Sequence, residues 1–329
     1  MHIVRHRRVT HISRTLSVRG LHLLILIFLP LCLIGFGTYQ YTATTKGPRT
    51  ILASKTRVRK TPPPMYQFPD GGRELFPNYR LVALYGLPGA PVLGALGEQS
   101  MAQTIIRVKN LAASYQPYIA EHALPTLEII ASVASALPTA NNDYSQELSV
   151  AELQPWITAA QKSGVYVVLD LQSGRSSFLT QAKDYAPLLE QPNVGLALDP
   201  EWRLGPSQVP LVQIGSVNAS EINATASWLA ALTVQYKLPQ KLLLLQQFRL
   251  SMITDRQNLN TSFAKLAFVI QMDGQGAQPV KLDTWHAVTA DPPTSVRFGW
   301  KNFYHKDTPV LSPAQTMQLD PIPWYISYE

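Results

Sequence analysis

The chain holds a single cysteine, Cys32, among 329 residues, so an intramolecular disulfide is excluded whatever compartment it occupies. Histidine is scarce where a metal site would need it. Four of the seven histidines fall in the first 22 residues, and His286 and His305 stand isolated, with no HExxH or other paired ligand spacing. No metal or other cofactor is expected. A GxSxG elbow is missing, which removes the usual sign of a serine hydrolase. The turn Gly86-Leu87-Pro88-Gly89-Ala90-Pro91 is rigid but lacks the spacing of a dinucleotide or phosphate loop. Acidic residues are absent from the first 60 positions, which carry eleven of the 28 Lys and Arg. Setting those eleven aside turns the overall charge of +7 into −4 for residues 61–329. The basic character therefore belongs to the tail, and a nucleic-acid surface on the folded body is not expected.

That tail reads as a membrane address. Five arginines within residues 1–20 precede an apolar run over 21–39, interrupted mainly by His22. At 1.5 Å per residue the run is just long enough to cross a hydrocarbon core of about 30 Å. The arginines predict a cytoplasmic N-terminus and an extracytoplasmic body, held at the cell membrane by one pass. A cleaved signal peptide is the competing reading, although no small-x-small cleavage site ends the run. Leu29, Pro30 and Leu31 before Cys32 do not suit a lipobox. Residues 40–78, basic at first and then passing through Thr61-Pro62-Pro63-Pro64, read as a linker.

Over 79–329, apolar strand-like runs alternate with amphipathic helical ones, the pattern of βα units. Strands are expected at 80–85, 124–133, 165–171, 194–202, within 209–217, and at 241–248, 265–273 and 295–300. Eight units make a single (β/α)8 TIM-like barrel the most economical α/β fold, with a doubly wound open sheet as runner-up. Residues 218–221 (Asn-Ala-Ser-Glu) are expected to act as a capping box for the helix that follows.

Chemistry is expected at the C-terminal ends of the strands. The centre of interest is Val194–Trp202, where strand alternation puts Gly195, Ala197, Asp199 and Glu201 on one face. Asp170 and Gln172 exit the third strand, Gln246 the sixth and Asp273 the seventh; Trp202, Trp300 and Tyr304 lie close in sequence to strand ends. Glu128 stands inside an apolar strand, where a carboxylate must be paired or wet. Acids that protonate a glycosidic oxygen and aromatic rings that stack on sugar faces are what carbohydrate chemistry requires. Glu201, Asp199 and Asp170 are the catalytic candidates. Glu128, Gln172, Trp202, Gln246, Asp273, Trp300 and Tyr304 are the substrate-binding ones.

The segments YGLPGAPVLGALGE, VLDLQSGRSSFLTQ, VGLALDPEWRLGP and KLLLLQQFRLSMI resemble those of a family of uncharacterised exported or lipid-anchored bacterial proteins, best represented among actinobacteria. The likeness runs from about Val82 to the end, and that family carries no established activity. More distantly, Asp199-Pro200-Glu201 is similar to the end of the DxxDxDxE motif of the chitinase-like family 18 glycosidases. That resemblance implies Glu201 as the acid and Asp199 as the residue that orients the substrate. Val194 to Leu198 stand where the earlier motif aspartates would be, and Gln246-Gln247-Phe248 replaces that family's Met-Tyr-Asp. Two functions follow as expectations. One is a membrane-anchored glycosidase-like hydrolase of envelope or extracellular polysaccharide. The other is a non-catalytic glycan-binding or structural barrel.

Overall fold

A computed structural model describes Phe68 and residues 71–329. The apolar run at 21–39, its basic flanks and most of the linker lie outside the described residues. Among those described, no helix is long and apolar enough to cross a membrane.

Eight strands run parallel in one closed sheet: β1 (Tyr79–Gly86), β2 (His122–Ala134), β3 (Tyr166–Leu171), β4 (Val194–Leu198), β5 (Lys241–Gln247), β6 (Leu266–Met272), β7 (Arg297–Asn302) and β8 (Tyr325–Tyr328). Each pairs with the next, and β8 pairs back onto β1, Leu81 opposite Tyr325, which closes the barrel. Both faces of such a sheet are covered, so the strands read as continuous apolar runs. Alternation divides them into two cores. Val82, Leu84, Val167, Leu169, Leu243 and Leu245 point outward to the helices, while Leu81, Ala83, Val168, Ala197, Leu244 and Val269 fill the interior.

The helical layer is uneven. The long helices are α1 (Met101–Tyr115), α2 (Val150–Lys162), α5 (Ala219–Gln235) and α6 (Gln278–Thr289); α3 (Phe178–Asp184), α4 (Ala186–Leu189) and α7 (Pro313–Thr316) are short. Between β5 and β6 there are only 3-10 turns, at Leu250–Met252 and Arg256–Asn258, and a two-residue strand at Ile253–Thr254. Ser149 and Glu152 form a capping box at α2, and Ser177 caps α3 by accepting from the Thr180 amide. Asn218 caps α5 as expected, but Glu221 does not turn back to complete a box. Its carboxylate instead holds Arg203 at 2.9 Å and the Phe178 amide at 2.9 Å.

Two strands differ from the sequence reading. The stretch 209–217 contributes no barrel strand. Pro210 and Gly215 interrupt it, and it folds back on the end of β4 through Gly215 N–H to Glu201 O at 2.6 Å and Ser216 N–H to Arg203 O at 2.9 Å. A Cβ at Gly215 would lie 2.5 Å from the Arg203 carbonyl oxygen, so this close approach requires glycine. The strand that completes the eight is β8, whose four residues follow a proline-rich turn.

The end of the apparent linker is also part of the folded body. Phe68 and Leu75 are buried under the N-terminal end of the barrel, with the Phe68 ring 5.5 Å from Tyr79 and 6.3 Å from Tyr166. Gln240 holds this plug, its Oε1 accepting the Leu75 amide at 2.9 Å while its backbone N–H donates to Arg73 O at 2.8 Å. Truncating Phe68 to alanine leaves a cavity there. A loss of about 3 kcal/mol is expected in urea unfolding, and unchanged stability would show that the plug is dispensable.

Candidate functional site

The site begins with what β4 leaves out. A Cβ at Gly195 would lie 2.9 Å from both the Leu242 carbonyl oxygen and the Tyr166 hydroxyl. Glycine there lets Tyr166 reach over β4 and accept the Leu242 amide at 3.1 Å. Above it the strand ends at Leu198, earlier than expected, with Asp199 N–H donating to Leu171 O at 3.1 Å. Pro200–Trp202 then forms a 3-10 turn, and Asp199 Oδ1 accepts the Glu201 amide at 3.1 Å. Glu201 therefore reaches the mouth through a side-chain-stabilised turn and not through strand alternation.

That mouth is a cleft of about 690 Å³ lined by Tyr85, Gln172, Asp199, Glu201, Trp202, Phe248, Asp273, Lys301, Phe303 and Glu329, among others. Its size is that of a small-ligand site. Asp199, Glu201 and Asp273 offer carboxylate oxygens within 4.8 Å of one another. Three charges so close cannot all ionise freely. Burial, with the charges of Asp170, Asp273 and Glu201, lifts Asp199 well above the usual carboxylate range. Burial and the Asp273 charge push Glu201 up to about 7, against the pull of Lys301. Burial also raises Asp273, with Lys301 opposing.

Lys301 is the buried cation of this mouth. Its Nζ lies 3.1 Å from Asp273 Oδ1, 3.0 Å from Glu329 Oε2 and 3.5 Å from the centroid of the Tyr85 ring. Burial alone would lower its pKa, but the charges of Asp273, Glu329 and Glu128 outweigh it and hold the ammonium well above the ordinary lysine value. The three-carboxylate group is spaced as a divalent ion would need, yet an ion there would have to share Asp273 with this ammonium.

The sequence candidates separate by depth. Asp199, Glu201, Trp202, Gln172 and Asp273 line the cleft. Glu128, Asp170 and Gln246 are fully buried in the barrel interior. There Gln246 Nε2 donates to Asp170 Oδ2 at 2.8 Å and lies 3.3 Å from Glu128 Oε1, and the Tyr325 hydroxyl donates to Glu128 Oε2 at 2.9 Å. Trp300 faces the opposite way. It is wholly buried against Trp285, ring centroids 5.6 Å apart, because Lys301 and Gly299 take the inward positions of β7. Tyr304 is not in the lining either; it packs on Tyr328 at 5.2 Å beneath Arg107. Sequence reasoning passed over Lys301, Tyr85, Phe248 and Phe303. The signal for Lys301 was its two-residue phase with Gly299, an inward glycine of the same strand.

No protein-family model matches the sequence, and comparison with curated proteins found no match. Among solved structures the chain is similar to the crystal structure of the Bacillus cereus spore cortex-lytic enzyme SleL. The identity is 13%, over 68% of this chain and 50% of that one, with a TM-score of 0.31. This chain thus spans about half the length of that protein, and a likeness so loose carries no argument about the site.

The interior acids make stability depend on pH. Burial and the Asp170 charge push Glu128 up to about 8, and burial pushes Asp170 up to about 7 although Lys301 opposes it. A carboxyl whose folded pKa exceeds its unfolded value binds more protons in the native state. Stability is then fully present below about pH 4 and is lost as pH rises through the folded values. The melting temperature is expected to be higher at pH 5 than at pH 8, and Glu128→Gln should make that decline shallower. A slope unchanged by the substitution would contradict this account of Glu128.

Proposed function

We propose that the body is a glycosidase-like hydrolase acting on a cell-envelope or extracellular polysaccharide, with Glu201 as general acid. The observation that carries this reading is the setting of Glu201. It is a half-buried carboxyl in an open cleft, crowded by Asp199 and Asp273, so that it holds a proton near neutral pH. A general acid needs a pKa near the working pH and access to the leaving oxygen. Trp202, Phe248 and Phe303 line the same cleft and supply ring faces for sugar stacking. Among the described residues, neither Asp199 nor Glu201 forms an ion pair, and Arg249, which also lines the cleft, forms none.

A hydrolysis screen of the purified full chain over a panel of envelope glycans tests the activity. Glu201→Gln should preserve folding and most glycan affinity while lowering turnover on the order of 100-fold or more. A variant that melts early yet turns over normally per folded molecule would refute the acid role.

We also propose that the apolar segment at 21–39 tethers this body outside the membrane, a reading supported by the arginines ahead of it. Protease added to intact cells should degrade the body, and a body that survives such treatment would rule the tether orientation out.

A further inference from the structure

Resting on the hydrolase reading, a more specific division of labour follows from where the one buried ammonium of the mouth sits. We propose that Lys301 makes Asp273 the attacking carboxylate and leaves the proton on Glu201, so that cleavage retains the anomeric configuration.

Four geometric facts carry the assignment. Lys301 Nζ touches Asp273 at 3.1 Å and forms no ion pair with Glu201 or Asp199. Asp199 stands on the same chain turn as Glu201 and spends Oδ1 on the Glu201 amide, which makes it an orienting group for the acid. Asp273 comes instead from the end of β6, two strands away from β4, and so offers a carboxylate that is independent of the acid's own turn. One carboxylate oxygen each of Glu201 and Asp273 lies within 4.8 Å of the other, and Asp199 offers one as near to both; an inverting pair needs about 6.5–9.5 Å between its carboxyls to admit a water.

The surrounding charges agree with this partition. Glu329, whose side chain shares Lys301, is pulled below its ordinary value by that ammonium although burial opposes it, and exposed Lys306 lies 3.4 Å from its other oxygen. Lys281, from α6, sits behind Lys301, donating to its carbonyl at 2.8 Å and pairing with Asp307. Among the described residues neither Asp199 nor Glu201 forms an ion pair, and the negative charge of Asp273 favours the proton on both.

In the reaction, Glu201 gives its proton to the glycosidic oxygen as the bond from C1 to that oxygen breaks, and an Asp273 oxygen bonds to C1. Water then attacks C1 and yields its proton to the Glu201 carboxylate. The ester to Asp273 breaks, restoring both groups.

The test is a carboxyl 13C NMR titration of the full chain, labelled in Asp and Glu, with no glycan present. Asp273 should titrate at lower pH than Glu201. Lys301→Met should move Asp273 upward by about one unit or more, and Lys301→Arg should restore it; Lys306→Met should leave it in place. Asp273→Asn should lower the Glu201 midpoint by removing the adjacent negative charge, which keeps the test decisive if Lys301→Met does not fold. Asp273 titrating after Glu201, or a Glu201 midpoint indifferent to Asp273→Asn, would overturn the assignment. On a glycan that the hydrolysis screen shows to be cleaved, proton NMR of the first-released anomer should show retention. Inversion would overturn this inference alone, whereas a chain that cleaves no glycan would end the hydrolase reading and leave the titration order to be judged by itself.

Discussion

A protonated lysine inside a barrel is stable only if its lost hydration is replaced, and at Lys301 that replacement is complete. Two carboxylates stand near 3 Å, and an aromatic face lies 3.5 Å from the ammonium. Around it are six acids, Glu128, Asp170, Asp199, Glu201, Asp273 and Glu329, three of which, Glu128, Asp170 and Asp199, are wholly or almost wholly buried. Desolvation of a carboxylate is expensive, and breaking a buried pair typically costs about 3–5 kcal/mol. One cation cannot neutralise six acids, so the fold must keep several of them protonated. Lys301 opposes the upward shift of Asp273 and pulls Glu329 below its ordinary value.

Several structural features serve that placement. Gly299 leaves room for Tyr325, since a Cβ there would lie 3.0 Å from the Tyr325 carbonyl oxygen, and the same alternation directs Lys301 inward. Behind it, Asp307 joins the loops that flank the cleft. It pairs with Lys281 and accepts the Phe303 amide at 2.9 Å and the Gly276 amide at 3.0 Å. The segment between β4 and α5, which adds no strand to the barrel, folds over the barrel end and brings Trp202 and Leu211 to the cleft. An uneven helical layer thus accompanies a mouth built largely from loops, the usual location of chemistry in this architecture.

Alternation made most of the strands legible, and with them the polar exits at Asp170, Gln172, Gln246 and Asp273. It failed where the period was interrupted. The turn after Leu198 is held by an Asx contact, which leaves little trace in a hydrophobic pattern, so Glu201 was assigned to the right region through the wrong local geometry. The stretch 209–217 has the apolar content of a strand, but Pro210 and Gly215 turn it back. The true eighth strand is four residues long and hidden behind prolines. On β7 the conspicuous residue is Trp300, and its size argued for a ring platform; the phase set by Gly299 gives the interior to Lys301 instead. Depth was not readable at all. Whether Glu128 or Asp170 lines the cleft or lies beneath it depends on the stagger between neighbouring strands, which no single strand records.

If Lys301 holds ionised carboxylates inside the mouth, the stability lost in Lys301→Met, measured by denaturant unfolding at pH 5 and at pH 8, reports it most directly. Without the ammonium, Asp273 and Glu329 must either bind protons or remain as uncompensated buried charges. The variant should therefore lose more stability relative to the parent at pH 8 than at pH 5. An equal loss at both pH values would mean that Lys301 contributes packing alone, and would contradict the account.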